Sequence, residues 1–181
     1  MKNDNLYALL AANFPKAKNA PALILADGRV WTYDDVQHAS ARMAHLLVSL
    51  GLKPGDRVAV QVEKTPEALV LYLATLRAGM VFLPLNPAYQ RHELEYFLGD
   101  ATPGLVVCRP QMRGLIDELA KAAKVPNVLE LDDAGQGSLI DAATPFADTF
   151  ETAPRTGDDL AAILYTSGTT GRPKGVRLTQ D

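Results

Sequence analysis

The spacing of apolar positions changes along the chain, and each change marks an element. Leu6, Leu9, Leu10 and Phe14 recur at helical spacing behind a capping Asp4 or Asn5, and Pro15 ends that first helix. Residues 22–26 and 29–32 flank Asp27-Gly28 and read as a hairpin with a two-residue turn. Thr32 then caps a helix, with Asp35 three residues on as a weaker version of the capping-box acid, which is commonly Glu or Gln. Its apolar face is Val36, Ala39, Met43, Leu46, Leu47 and Leu50, and Gly51 closes it.

From Arg57 onward, short apolar runs alternate with helical patterns. Residues 57–62 form a strand, and Thr65-Pro66 is a cap followed by proline at the first helical position. The helix over 67–78 is apolar nearly all round, which predicts burial on most sides, Leu69 included. Gly79 stops it, and further strands (80–85, 104–108, 127–131) alternate with helices (91–98, 112–123). This rhythm predicts an α/β fold: right-handed crossovers, and a mostly parallel sheet with helices on both faces. Residues 132–158 break it with Asp132-Asp133-Ala134-Gly135-Gln136-Gly137, one short helical piece and Ala153-Pro154; they read as a connecting segment. A last strand, 160–165, leads into residues 164–176, and residues 176–179 are again strand-like.

Composition narrows the class without naming a chemistry. Of 181 residues, 48% are hydrophobic and 22% charged, which suits one globular domain with a sizeable core. A net charge of −3 with both signs interspersed speaks against a nucleic-acid surface. No apolar run approaches the ~20 residues of a membrane span, and the first five residues carry no signal-peptide pattern. The single cysteine, Cys108, excludes an intramolecular disulfide; it reads as a small buried hydrophobe, and the cytoplasm is the expected compartment.

The chemistry gathers in Leu164-Tyr165-Thr166-Ser167-Gly168-Thr169-Thr170-Gly171-Arg172-Pro173-Lys174-Gly175-Val176. Glycines let backbone N–H groups approach an anion closely. Thr166, Ser167, Thr169 and Thr170 add hydroxyl donors, Lys174 adds a mobile positive charge, and Pro173 stiffens the approach to it. Such a loop suits a polyphosphate. It is not the Walker pattern: only two residues separate Gly168 from Gly171, and Lys174 is followed by glycine rather than Ser or Thr.

This stretch resembles, almost letter for letter, the phosphate-binding signature of the adenylate-forming enzymes: acyl- and aryl-coenzyme A synthetases, nonribosomal adenylation domains and firefly luciferases. Residues 76–87 (Leu-Arg-Ala-Gly-Met-Val-Phe-Leu-Pro-Leu-Asn-Pro) are similar to a second signature, and Trp31-Thr32-Tyr33-Asp34-Asp35-Val36 more loosely to a third. In the second, only Asn86 is polar, and a turn at Asn86-Pro87 gives it a scaffold reading. Overall likeness over residues 62–79, 93–97 and 159–165 is to the malonyl-coenzyme A synthetases. The resemblance implies the N-terminal portion of the large domain of such an enzyme, truncated at Asp181, since family members are much longer.

The resemblance further implies an acid–thiol ligase. A carboxylate, with malonate the preferred reading, joins the α-phosphate of ATP with release of pyrophosphate and then passes to the thiol of coenzyme A. Thr166, Ser167, Thr169, Thr170 and Lys174 would hold the β- and γ-phosphates, with Gly168, Gly171 and Gly175 letting the backbone close around them. Magnesium would accompany ATP, with its ligands outside this chain, and no residue here matches the catalytic positions of the family. His38, His45 and His92 show no metal-site spacing, and the pairs Asp34-Asp35, Asp132-Asp133 and Asp158-Asp159 read as helix starts or turns. The isolated chain is expected to be inactive and to self-associate through an unpaired sheet edge. Two other readings stay open: an adenylation domain that loads a carrier protein, and a catalytically dead module that binds a polyphosphate or a protein.

Overall fold

The structure is a computed structural model and describes residues 3–166 and 173–181. In chain order it holds α1 (Leu6–Ala11), β1 (Pro21–Ile24), β2 (Val30–Thr32), α2 (Tyr33–Ser49), β3 (Arg57–Gln61), α3 (Pro66–Arg77) and β4 (Val81–Pro84). There follow α4 (Arg91–Ala101), β5 (Leu105–Cys108), a 3-10 turn (Pro110–Met112), α5 (Arg113–Ala123), β6 (Asn127–Glu130), α6 (Ser138–Ala143), β7 (Leu160–Thr166) and β8 (Lys174–Thr179).

The local signals behave as their chemistry requires. At the start of α2, Asp35 accepts from the Thr32 N–H at 2.8 Å while the Thr32 hydroxyl accepts from the Asp35 N–H at 3.1 Å. The Thr65 hydroxyl caps α3 by accepting from the Ala68 N–H. Gly28, Gly51 and Gly79 all adopt positive φ, at the hairpin turn and after α2 and α3. Asp132 accepts from the Ala134 and Gln136 N–H groups, and Asp159 from the Thr156 N–H, so both serve turns.

Among the described residues the central sheet has six strands in the order β6-β5-β3-β4-β7-β8, parallel except for β8, which runs antiparallel to β7. The inner strands are buried on both faces and alternate between two cores. Val58 and Val60 of β3 join Leu105 and Val107 of β5 on the face covered by α2, α3 and α6. Ala59, Val106, Leu83 and Cys108 face α4 and α5. Strand order places β5 beside β3, so the chain leaves β3 toward one face and leaves β4 and β5 toward the other. The carboxyl ends of these strands therefore border a crevice, the usual ligand position in such sheets. No helix among the described residues is long and apolar enough to cross a membrane.

Three readings need correction. In α1 the buried side chain is Tyr7, at 2% exposure, whereas Leu9 and Leu10 are each 40% exposed. The helix is anchored by Asn5 rather than by an apolar stripe, which six residues are too few to make. In α3, Leu69 is also 40% exposed, because it lines an open groove rather than a packed neighbour. Residues 132–158 do connect β6 to β7, but they also build core: Leu139 is fully buried, and Phe146 and Phe150 pack against the same cluster.

Candidate functional site

Strand pairing closes the neck of the glycine-rich loop. Thr166, the last residue of β7, stands opposite Lys174, the first of β8, and Tyr165 stands opposite Gly175. The side chains of Thr166 and Lys174, as cross-strand partners, thus start from the same face of the sheet, and both residues are exposed. No ion pair engages Lys174 among the described residues, so its charge is available to a ligand. Ser167, Gly168, Thr169, Thr170 and Gly171 lie outside the described residues. Gly175 sits within the stem. A Cβ there would lie 3.3 Å from Ile163 Cγ2 and 3.4 Å from Tyr165 Cε1, so it would crowd Ile163 and lie against the Tyr165 ring.

The stem is tied to the helix face behind it. The Tyr165 ring packs on Phe97 with centroids 4.3 Å apart, and its hydroxyl donates to Asp100. Burial first, and then that bond, push the Tyr165 hydroxyl above the ordinary phenol range, so it remains a donor at neutral pH. The Tyr96 hydroxyl donates to the Pro173 carbonyl at 3.1 Å. Sequence reading missed this cluster, because its members are 65 to 77 positions apart.

β4 and β7 run parallel, so Thr166 emerges at the same sheet edge as the carboxyl end of β4. At that edge an open groove of about 1260 Å³ lies over β3 and β4, floored by Val62, Tyr72, Phe82 and Leu85 and rimmed by Lys64 and Arg109. Two side chains hold the strand ends that frame it. Arg109 donates to Glu63 Oε1 at 3.1 Å and to the Pro87 carbonyl at 2.8 Å, joining the segments that follow β5, β3 and β4. Gln61, fully buried at the end of β3, donates through Nε2 to the Asn86 and Tyr89 carbonyls, each at 3.1 Å. Asn86 itself accepts from the Ala88 N–H, which makes the Asn86-Pro87 segment a turn. Only a polar residue inside an otherwise apolar strand run, Gln61, could have signalled this framework from sequence.

Cys108 faces the α4–α5 core at zero exposure, and desolvation pushes its thiol up to about 12, so it is inert as a nucleophile. His38 and His45 lie on α2 and His92 on α4; His45 Nε2 bonds the Thr149 carbonyl at 2.8 Å. Among the described residues no three His, Cys, Asp or Glu side chains gather to hold a metal ion. Magnesium carried by a nucleotide takes most of its ligands from phosphate oxygens and water, so it does not require such a cluster.

The family described as AMP-binding enzyme matches residues 10–181. The chain is 37% identical to novobiocin biosynthesis protein H of Streptomyces niveus, an alignment covering 89% of this chain and 26% of that protein. It is 34% identical to oxalate–CoA ligase of Arabidopsis thaliana, over 99% of this chain and 36% of the ligase. Among solved structures, ATP-bound MatB from Rhodopseudomonas palustris superposes with a TM-score of 0.93 at 49% identity, covering 99% of this chain and 35% of MatB. The chain thus spans roughly a quarter to a third of the length of these relatives.

Proposed function

We propose, for a chain that belongs to the AMP-binding enzyme family, that it supplies the triphosphate-holding part of an ATP-dependent acid–thiol ligase. In the first step a carboxylate oxygen attacks the α-phosphorus of ATP and the bond to the β-phosphate oxygen breaks, giving an acyl adenylate and pyrophosphate. In the second, the thiol of coenzyme A attacks the acyl carbon and AMP leaves. Adenylation is needed because a carboxylate is a poor electrophile with no good leaving group.

The observation that carries this reading is the pairing of Thr166 with Lys174 at the neck of the loop. Charge builds on the β- and γ-phosphates as pyrophosphate departs, and preorganised donors stabilise it with little reorganisation. A hydroxyl and an ammonium held on adjacent paired strands supply two such donors; Ser167, Thr169, Thr170 and the glycine N–H groups would supply the rest. ATP bound to MatB, the solved structure described above, supports ATP as the nucleotide.

Malonate is the proposed carboxylate, on the likeness of residues 62–79, 93–97 and 159–165 to malonyl-coenzyme A synthetases. The lone, buried Cys108 suits a reducing compartment, and we assign the reaction to the cytoplasm. The test is ATP–pyrophosphate exchange by the protein as its cell makes it, with malonate, methylmalonate, oxalate, acetate and amino acids. Malonate-dependent exchange followed by malonyl transfer to coenzyme A supports the proposal. Exchange that responds only to amino acids, with transfer to a carrier-protein thiol, replaces it with an adenylation domain.

A further inference from the structure

The cluster behind the loop neck goes beyond packing. Tyr96, Phe97 and Asp100 lie within one turn of α4, and each contacts a residue flanking the loop. Tyr165, held by Phe97 and Asp100, immediately precedes Thr166; Pro173, held by Tyr96, immediately precedes Lys174. One helix therefore grips both sides of the neck.

The helix is firmly fixed. Leu94, Phe97 and Leu98 are buried to 1% exposure or less. Glu93 accepts from the Gln90 N–H at its start. At its end Arg57 donates to the carbonyls of Ala101 and Thr102, each at 2.7 Å. Arg91 makes a two-pronged pair with Glu118 of α5. The Pro173 contact is a specific one: the proline ring already fixes φ, so anchoring its carbonyl also fixes ψ. That sets the plane of the 173–174 peptide and the direction in which Lys174 starts.

We propose that Tyr96 and Asp100 are positioning residues for the triphosphate loop, and that α4 sets the placement of Thr166 and Lys174 against the departing pyrophosphate. The inference rests on the proposed function for its consequence, though not for its geometry. Donors act on a transferring phosphoryl group only when held to about half an ångström, and such precision comes from regular elements rather than loops.

The test is Tyr96→Phe, which keeps the ring and removes only the hydroxyl, alongside Asp100→Ala and Asp100→Asn. On the protein as its cell makes it, three quantities are read: dissociation constants for MgATP, inorganic tripolyphosphate and adenosine; melting temperature; and backbone hydrogen exchange over residues 174–179. Tyr96→Phe should weaken tripolyphosphate and MgATP about three- to tenfold, the loss of one hydrogen bond. Adenosine affinity should hold and melting should stay within about 2 °C. Asp100→Asn, which can still accept from Tyr165, should lose less than Asp100→Ala. Unchanged tripolyphosphate affinity in Tyr96→Phe overturns the proposal, as does a loss shared equally by adenosine. If the unaltered protein binds no polyphosphate, the proposed function fails. The exchange measurement then decides the positioning claim alone: faster exchange in Tyr96→Phe sustains it and unchanged exchange rejects it.

Discussion

Asn5 is fully buried, and every polar atom of its side chain is used. Oδ1 accepts from the Tyr7 N–H at 2.9 Å, capping α1, while Nδ2 donates to the Leu76 carbonyl at 2.8 Å and to the Ala153 carbonyl at 2.9 Å. One amide thus joins the N-terminal helix, the end of α3 and the approach to β7. In Asn5→Ala the cap contributes a loss of about 1 kcal/mol and the two lost amide donations about 1 kcal/mol each, about 3 kcal/mol in all; the Leu76 carbonyl keeps its bond from the Gly79 N–H, and the Ala153 carbonyl is the one left bare. With a urea slope of about 2 kcal/mol/M, the unfolding midpoint should fall by about 1.5 M. The fluorescence of Trp31, the only tryptophan, reports the transition, since Trp31 packs against two of the core clusters. Asn5→Asp sharpens the test. It keeps the cap acceptor but turns the donor into an anion facing two carbonyl oxygens, so at neutral pH it should lose at least as much as Asn5→Ala. Part of that loss should return as the pH falls through the carboxylate range and the acid becomes a donor. A midpoint shift under about 0.5 M in Asn5→Ala, with unchanged slope, would refute the reasoning.

Three further outcomes are expected. Hydrogen bonds from the Thr32 hydroxyl and N–H hold the Asp35 carboxyl below its usual range. A depressed folded value adds stability above the unfolded pKa that is lost as pH falls through the folded one. Asp35→Asn should therefore flatten the decline of stability below about pH 4, and an unaltered acid profile in denaturant titrations would count against the capping box. Cys108 should resist a disulfide reagent in the native protein and react fully once unfolded; rapid native labelling would contradict its burial. Leu164, Val176 and Leu178 on β7 and β8 are 37–43% exposed, and no strand covers the outer side of β8 among the described residues. The 181-residue chain is expected to self-associate in sedimentation with rising concentration; a constant monomer mass would exclude this.

What could be read from sequence follows the range of the interactions involved. Thr32 with Asp35, and Thr65 with Pro66, mark helix starts because their partners are three residues away. The alternation of strands with helices gives the α/β class, and the density of glycines and hydroxyls marks the loop. Crossover handedness does not say which strand lies beside which, so β5 beside β3 and the antiparallel pairing of β8 with β7 emerge only from the packed sheet. Tyr7 outcompetes Leu9 and Leu10 for burial because Asn5 sets the orientation of α1, which periodicity cannot register. Leu139, Phe146 and Phe150 enter the core from a segment too irregular to show a period. The grip of Tyr96 and Asp100 on the loop neck joins residues far apart in sequence, and nothing local announces it.

The central claim is that residues 164–176 hold a triphosphate, and competition binding tests it most directly. Inorganic tripolyphosphate, adenosine and MgATP are titrated against the protein and its Lys174→Ala variant, with a fluorescent ATP analogue as reporter. The account predicts that tripolyphosphate displaces the analogue and that Lys174→Ala weakens tripolyphosphate and MgATP by about tenfold or more, the share of one charged hydrogen bond, while adenosine affinity is unchanged. Equal tripolyphosphate affinity in the two proteins would contradict it.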